Sequence, residues 1–329
     1  MKNKKLHYSL TADSWDNKEL LAINKVVKSN RFTMGKNVKK FENNFSKYIG
    51  SNYSVMVNSG SSANLLAIAA LTNYMCKNKL EKGDKIIVPT ICWSTSVWPL
   101  IQCGLEPVFV DVGQLTLNAD IRQIEKLVEQ DNKIRGIMTV HILGNCTNME
   151  KMMEIVEKHN LIMMEDTCES LGSAYDGKYL GTFGKCGTFS FYFSHHITTI
   201  EGGMVVTNDE DIYEILKCLR THGWSREQKN KEEYEQKYAN IDSKFLFINV
   251  GYNFRPMEIQ AAMGRIQLGK LISQNENRKQ NYREITIKIQ KICEENKKMN
   301  LICMNNTDKC DAAWFALPFL LNESINKKE

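Results

Sequence analysis

The sequence predicts an α/β fold, a mainly parallel seven-stranded sheet flanked by helices on both faces. From about residue 14 to residue 225, short apolar runs alternate with longer segments of helical period. That alternation is the mark of parallel strands joined by helical crossovers. The 329 residues are 43% hydrophobic and 25% charged, which is ordinary globular usage and enough chain for two domains with a sizeable core.

In chain order, strands are predicted over Tyr53–Val57, Lys85–Pro89, Pro107–Asp111, Gly136–His141, Leu161–Glu165, Thr188–Phe193 and Gly203–Thr207, with helices over Ser61–Cys76, Ala119–Gln130, Asn148–His159 and Asp209–Leu219. Residues 225–244, SREQKNKEEYEQKYANIDSK, are highly charged and nearly free of aliphatic side chains. They read as a solvated helix or mobile loop. A long amphipathic helix is expected from Met257 to about Lys279, of the kind that bridges a large domain to a smaller one. After it, Ala313–Leu321 has a strand pattern. The expected division is a large domain over 14–270 and the start of a small C-terminal domain over 271–329, too short and too polar to be complete.

Several function classes are excluded. The 43 Lys and Arg against 38 Asp and Glu leave a formal charge of +5, scattered rather than gathered into a stripe, so no nucleic-acid partner is expected. The ten cysteines, at 76, 92, 103, 146, 168, 186, 218, 293, 303 and 310, include no closely paired ligand set, so no metal site is expected. The start, MKNKKLHYSL, lacks the apolar core of a signal peptide. No run approaches the roughly 18 apolar residues of a membrane span. A soluble, cytoplasmic protein with free thiols is the expectation.

Three motifs carry chemistry, each directly after a predicted strand, where α/β sheets place their ligands. Asn58-Ser59-Gly60-Ser61-Ser62-Ala63-Asn64 precedes a helix; amides at a helix start, helped by Ser hydroxyls, suit a phosphate, although Ser there is more often only a cap. Glu165-Asp166-Thr167-Cys168-Glu169 puts a carboxylate where it could pair with a protonated heterocyclic nitrogen, or merely cap a helix. Ser190 to Gly203 contains adjacent His195 and His196 and ends in a Gly pair. A His in a cleft can move protons near neutral pH; a lone His is more often structural. Cys168 and Cys186 flank this region and read as small packing residues.

The ordered set, together with RFTMGKNVKKFE at 31–42 and GYNFRPMEIQAAMG at 251–264, resembles the DegT-type sugar-nucleotide aminotransferase family of pyridoxal phosphate fold type I, from about residue 30 to about residue 320. The resemblance implies that Asp166 bonds the pyridine nitrogen and that Trp93 stacks on the ring. It implies that Gly60, Ser61 and Ser190 hold the phosphate and that Glu169 lies near the ring hydroxyl. Asn253 matches an asparagine that reaches the neighbouring subunit's phosphate, which implies a homodimer with a shared active site. Arg255 could receive a glutamate carboxylate or form an inter-subunit salt bridge. His222 could assist near the substrate or simply end a helix.

Relatives in that family carry a Schiff-base lysine where this chain has His195. Imidazole cannot form that bond, so the cofactor, pyridoxal or pyridoxamine 5'-phosphate, is expected to bind non-covalently, and registration against the lysine motif selects His195 over His196 as the proton carrier. The substitution is similar to the signature of the family's 3-dehydratases, lyases with a half-transamination step. One kind carries an iron–sulfur cluster on cysteines soon after the His pair. This chain has no Cys between Cys218 and Cys293. The resemblance therefore implies the kind regenerated by L-glutamate, which removes the C3 hydroxyl of a GDP-4-keto-6-deoxy sugar of mannose type. The alternatives are the same chemistry on a GDP-linked heptose, a sugar aminotransferase, and a non-catalytic binding protein.

Overall fold

The computed structural model describes residues 14–296 and 301–321. The polar opening segment, read as no leader, and residues 297–300 and 322–329 of the expected small domain lie outside the described residues. The elements are α1 (Asn17–Ser29), α2 (Lys36–Ile49), β1 (Tyr53–Val57), α3 (Gly60–Leu71), β2 (Lys85–Pro89), α4 (Ser94–Gln102), β3 (Glu106–Val110), α5 (Ile121–Gln130), β4 (Ile134–Val140), α6 (Met149–Lys158) and β5 (Ile162–Asp166). They continue with β6 (Ala174–Tyr175), β7 (Lys178–Tyr179), β8 (Cys186–Ser190), β9 (Gly203–Thr207), α7 (Glu210–Arg220), α8 (Lys231–Lys237), α9 (Glu258–Glu295), β10 (Leu301–Cys303), β11 (Cys310–Asp311) and β12 (Phe319–Leu321).

The main sheet has seven strands in the order β1-β9-β8-β5-β4-β2-β3. Strands β3, β2, β4, β5 and β8 run parallel, and β9 runs antiparallel to both β8 and β1. The expected mainly parallel sheet is therefore present. Successive strand residues face opposite ways, and the core divides accordingly. Val55, Val57, Ile86 and Val88 pack against Leu66 and Ile68 of α3, Leu100 of α4 and Leu216 of α7. On the other face, Ile87, Ile137 and Met163 meet Ile124 of α5 and Met152 and Ile155 of α6. Met56, Phe189 and Met204 meet Phe41 and Phe45 of α2 and Leu271 of α9. The fully buried Phe41, Phe45, Phe189 and Phe191 rings lie 5.0–6.1 Å apart in the pairs that touch. Each such side chain stabilises the fold by about 1.5–3 kcal/mol through removal from water. From Leu66 to Leu71 helix α3 is apolar all round and buried on every side.

Several boundaries differ from expectation for local reasons. The predicted strand Thr188–Phe193 lies at Cys186–Ser190. Beyond Ser190 the backbone turns to its own loop, with the Phe191 amide bonding the Gly202 carbonyl and the Thr199 amide bonding the Phe191 carbonyl. The helix predicted to Cys76 ends at Leu71, where the Thr72 hydroxyl bonds back to Ile68 O at 3.0 Å. Ala313–Leu321 is not one strand; only Phe319–Leu321 pairs, with Leu301–Cys303. Cys186 sits in the core under α3 rather than at the site. The charged 225–244 segment includes α8, which buries no residue. Helix α9 runs 38 residues without a break through position 270. No described helix is long and apolar enough to cross a membrane.

Helix α2 begins against a buried carboxylate from α9. Glu258 Oε1 accepts from the Gly35 and Val38 amides at 2.9 Å each, and Oε2 from the Asn37 amide at 3.0 Å and the Asn37 side chain at 2.9 Å. A negative charge there satisfies first-turn donors and complements the helix dipole. Replacement by alanine leaves those donors unpaired, so Glu258→Ala is expected to lower stability by about 3 kcal/mol. Urea denaturation checks this; a loss under about 1 kcal/mol contradicts the assignment.

Candidate functional site

The carboxyl ends of β1, β2, β4, β5 and β8 and the amino end of β9 form one edge of the sheet, with Ser190 opposite Gly203, Val57 opposite Gly203 and Val140 opposite Asp166. A cavity of about 450 Å³ opens there, within the usual range for small-molecule sites. Its lining includes Gly60, Ser61, Trp93, Asp166, Glu169, Ser190 and His195. Seven of the ten residues singled out from the sequence thus converge from separate parts of the chain.

Asp166 ends β5 and is 4% exposed. Its Oδ2 accepts from the Asn64 side-chain amide at 2.8 Å and the Ser96 hydroxyl at 2.7 Å, and its Oδ1 from the Cys168 amide at 3.1 Å. The Thr188 hydroxyl donates to Asn64 Oδ1 at 2.5 Å, which turns the Asn64 NH2 group towards Asp166. A carboxylate so buried and so held is set to receive a positive partner.

On the same cavity, Ser59 caps α3 by accepting from the Ser62 amide at 3.1 Å. The next amides belong to the first helical turn, which has no partners within the helix. Gly60 lets this turn approach β8: a Cβ there would lie 2.5 Å from Ser190 Cβ. The Ser61 hydroxyl lies 3.1 Å from Thr95 Oγ1. These groups offer an anion several donors. Trp93, 70% exposed, presents an uncovered flat ring on the same cavity. A buried carboxylate, an anion cradle and a flat aromatic wall on one cavity fit a planar, protonated heterocycle that carries a phosphate.

The adjacent histidines differ in environment. His195 lines the cavity, and its buried Nδ1 has no partner. Burial lowers its pKa from the ordinary value; a Cys168 backbone hydrogen bond and the Asp166 charge oppose the shift, while Arg278 adds to it. The imidazole is therefore neutral and able to accept a proton at neutral pH. His196 is 2% exposed and its Nε2 lies 2.7 Å from the Ala313 carbonyl, to which it must donate. Burial pushes its pKa down to about 3. Glu169 Oε2 accepts from the Leu143 amide at 2.9 Å, and burial raises its carboxyl pKa. Burial also raises the Cys168 thiol well above its ordinary value, so it is a poor nucleophile.

Asn253, Arg255 and His222 do not line this cavity. They meet on an exposed surface where Thr221 bridges Asn253, the His222 amide bonds Tyr252 O at 2.8 Å and Arg255 Nε bonds Asn253 Oδ1 at 3.1 Å. Residues not singled out from the sequence also take part: Ser96, Tyr192, Glu201 and Phe315 line the cavity. Ser96 and Phe315 carry no local motif and become visible only when distant segments meet. Among the described residues, no group of three His, Cys, Asp or Glu side chains could hold a metal ion.

Known proteins resemble this chain in sequence and fold. The chain is 44% identical over 283 residues to the GDP-4-keto-6-deoxy-D-mannose 3-dehydratase of Yersinia pseudotuberculosis, covering 85% of this chain and 71% of that protein. A crystal structure of a GDP-4-keto-6-deoxymannose-3-dehydratase histidine variant with bound GDP-perosamine superposes with TM-score 0.88 at 40% identity, covering 98% of this chain and 81% of that one. Another structure of such an enzyme, with a trapped PLP-glutamate geminal diamine, superposes with TM-score 0.85 at 39% identity, covering 96% and 80%. The profile of the DegT/DnrJ/EryC1/StrS aminotransferase family matches residues 13–329, and the chain belongs to that family.

Proposed function

We propose that this protein is a pyridoxamine phosphate-dependent 3-dehydratase. It converts a GDP-4-keto-6-deoxy sugar of mannose type and L-glutamate into the GDP-4-keto-3,6-dideoxy sugar, 2-oxoglutarate and ammonia. The observation that carries the reading is His195, a neutral imidazole at the cavity wall within an otherwise complete cofactor frame. The likeness to the 3-dehydratases supports the sugar, the nucleotide and the amino donor.

Pyridoxamine phosphate, when bound, supplies an amine for the C4 ketone and a cationic ring that takes up an electron pair. Asp166 holds the proton on the ring nitrogen, with its carboxylate fixed by Asn64 and Ser96. The α3 amides at Gly60 and Ser61, with the Ser190 hydroxyl, bind the phosphate. Trp93 covers one face of the ring, and Glu169 lies by the ring hydroxyl. With the cofactor bound, His195 would take a proton from its C4′ carbon, and the electron pair released would displace the C3 hydroxyl, which leaves as water once protonated. Having no amine, His195 holds the cofactor without a covalent bond. In the net reaction the sugar loses one oxygen at C3 and glutamate is oxidised to 2-oxoglutarate.

The working unit is a homodimer in which Asn253 contributes to the partner's phosphate site and Arg255 and His222 stand near the substrate. In support, the surface that carries them also exposes Phe245, Phe247 and Val250 at 69%, 50% and 90%. Such a patch is of the kind that marks an interface. Residues 14–270 form the large cofactor-binding unit and 271–329 begin the small one. The reaction belongs in the cytoplasm, where sugar nucleotides and glutamate are at hand.

The experiment is mass spectrometry of the sugar nucleotide after incubation with pyridoxamine phosphate and glutamate. The wild type is expected to yield a product lighter by one oxygen, and His195→Lys to lose this activity by at least about 100-fold. An amino sugar from the wild type contradicts the reading. A lowered His195 pKa keeps the base form present as pH falls, so the acid limb of kcat/KM is expected below about pH 6.5; a limb above pH 7 opposes it. Mixed Asn253→Ala and His195→Ala dimers, after subunit exchange, are expected to regain about a quarter of wild-type activity, because half the dimers then hold one intact site. No recovery despite exchange contradicts the shared site.

A further inference from the structure

We infer that His196 is a positioning residue: its Nε2–H bond to the Ala313 carbonyl pins segment 313–315 so that the Phe315 ring covers the His195 imidazole. Its effect on turnover rests on the reading of His195 as the base; the tether itself does not.

Segment 313–315 runs beside the site outside any strand, with Phe315 on the cavity wall, and five of its six backbone polar groups are committed. Ala313 O accepts from His196 at 2.7 Å, and the Ala313 amide donates to the Ser173 hydroxyl at 2.9 Å. The Phe315 amide donates to Leu143 O at 2.8 Å. The Trp314 and Phe315 carbonyls accept from Arg278 at 3.4 and 3.2 Å. The Phe315 ring then sits 5.1 Å from the His195 ring at 37° and 5.7 Å from that of His196. The Leu143 amide is in turn held by Glu169, so the same turn joins Phe315 to a cavity residue. His196 is the link that comes from the catalytic loop itself. It sits one residue after His195, so pinning the segment to His196 sets the distance from Phe315 to the base.

The consequence is electrostatic. The groups around His195 are Asp166 at the end of β5, Cys168 and Glu169 from the turn after it, Tyr192 from its own loop, Glu201 at the cavity wall, and Arg278 from α9. Phe315 adds an apolar cover, which favours the neutral imidazole over the charged one. His196 is neutral, so its replacement removes a hydrogen bond and not a charge. Without the tether Phe315 moves off, water reaches His195, and the His195 pKa rises towards its ordinary value.

The test is an NMR titration of the His195 ring in the cofactor-free protein, assigned by loss of its signal in His195→Asn, beside hydrogen exchange of the Phe315 amide. His196→Leu and Phe315→Ala are each expected to raise the His195 pKa by about one unit. His196→Leu is also expected to speed exchange of the Phe315 amide at least about ten-fold. His196→Gln, whose amide can reach the same carbonyl, restores both. With pyridoxamine phosphate and substrate, His196→Leu lowers kcat about ten-fold with unchanged cofactor affinity. Titration of His195 at the wild-type position in His196→Leu overturns the inference. Should that variant not fold, an unshifted His195 in Phe315→Ala, or no restoration by His196→Gln, overturns it equally. These titrations need no turnover, so they stand or fall apart from the proposed reaction.

Discussion

The site depends on one buried carboxylate. Asp166 is all but sealed from water, where an ionised side chain is costly unless donors surround it. Those donors come from α3 through Asn64, from α4 through Ser96 and from the turn after β5 through the Cys168 amide, with Thr188 of β8 setting the orientation of Asn64. Satisfying Asp166 therefore brings two helices and two strands to one point at the edge of the sheet. The α3 amides at Gly60 and Ser61 and the Ser190 hydroxyl line the same cavity, so the packing that compensates the charge also brings an anion cradle to it.

The adjacent histidines show how one residue's shift in position separates chemistry from support. His195 lines the cavity and its buried Nδ1 is left without a protein partner, whereas His196 is consumed by a backbone carbonyl. Both are neutral through burial. A lysine in place of His195 would hold the cofactor covalently and return an amine to the sugar; imidazole can do neither and retains only proton transfer. In the proposed reading, a single side chain decides between amino transfer and loss of a hydroxyl.

Much of this was legible in the sequence because the informative residues lie in short motifs after strands. Gly60, Asp166 and His195 each sit where a strand's apolar run stops, and the order of the motifs identifies the family. The supporting contacts were not legible, because Ser96 and Phe315 reach the site from segments whose local pattern is unremarkable. The C-terminal reading shows the physical reason. Ala313–Leu321 has a strand's alternation, but five of the six backbone polar groups of residues 313–315 are taken by His196, Ser173, Leu143 and Arg278. Tertiary partners outcompeted a sheet ladder. Phe191 likewise continues the apolar run of β8, yet its buried ring packs on Phe41 and Phe45 after the strand has ended.

The central claim is that the frame around Asp166 and His195 removes the C3 hydroxyl and leaves the C4 ketone in place. NMR of the sugar product formed in 2H2O from GDP-4-keto-6-deoxy-D-mannose, with pyridoxamine phosphate and glutamate, tests it most directly. The account predicts a C3 methylene that carries one solvent deuterium beside an intact C4 carbonyl. A product with its C3 hydroxyl retained and an amine at C4 would contradict it.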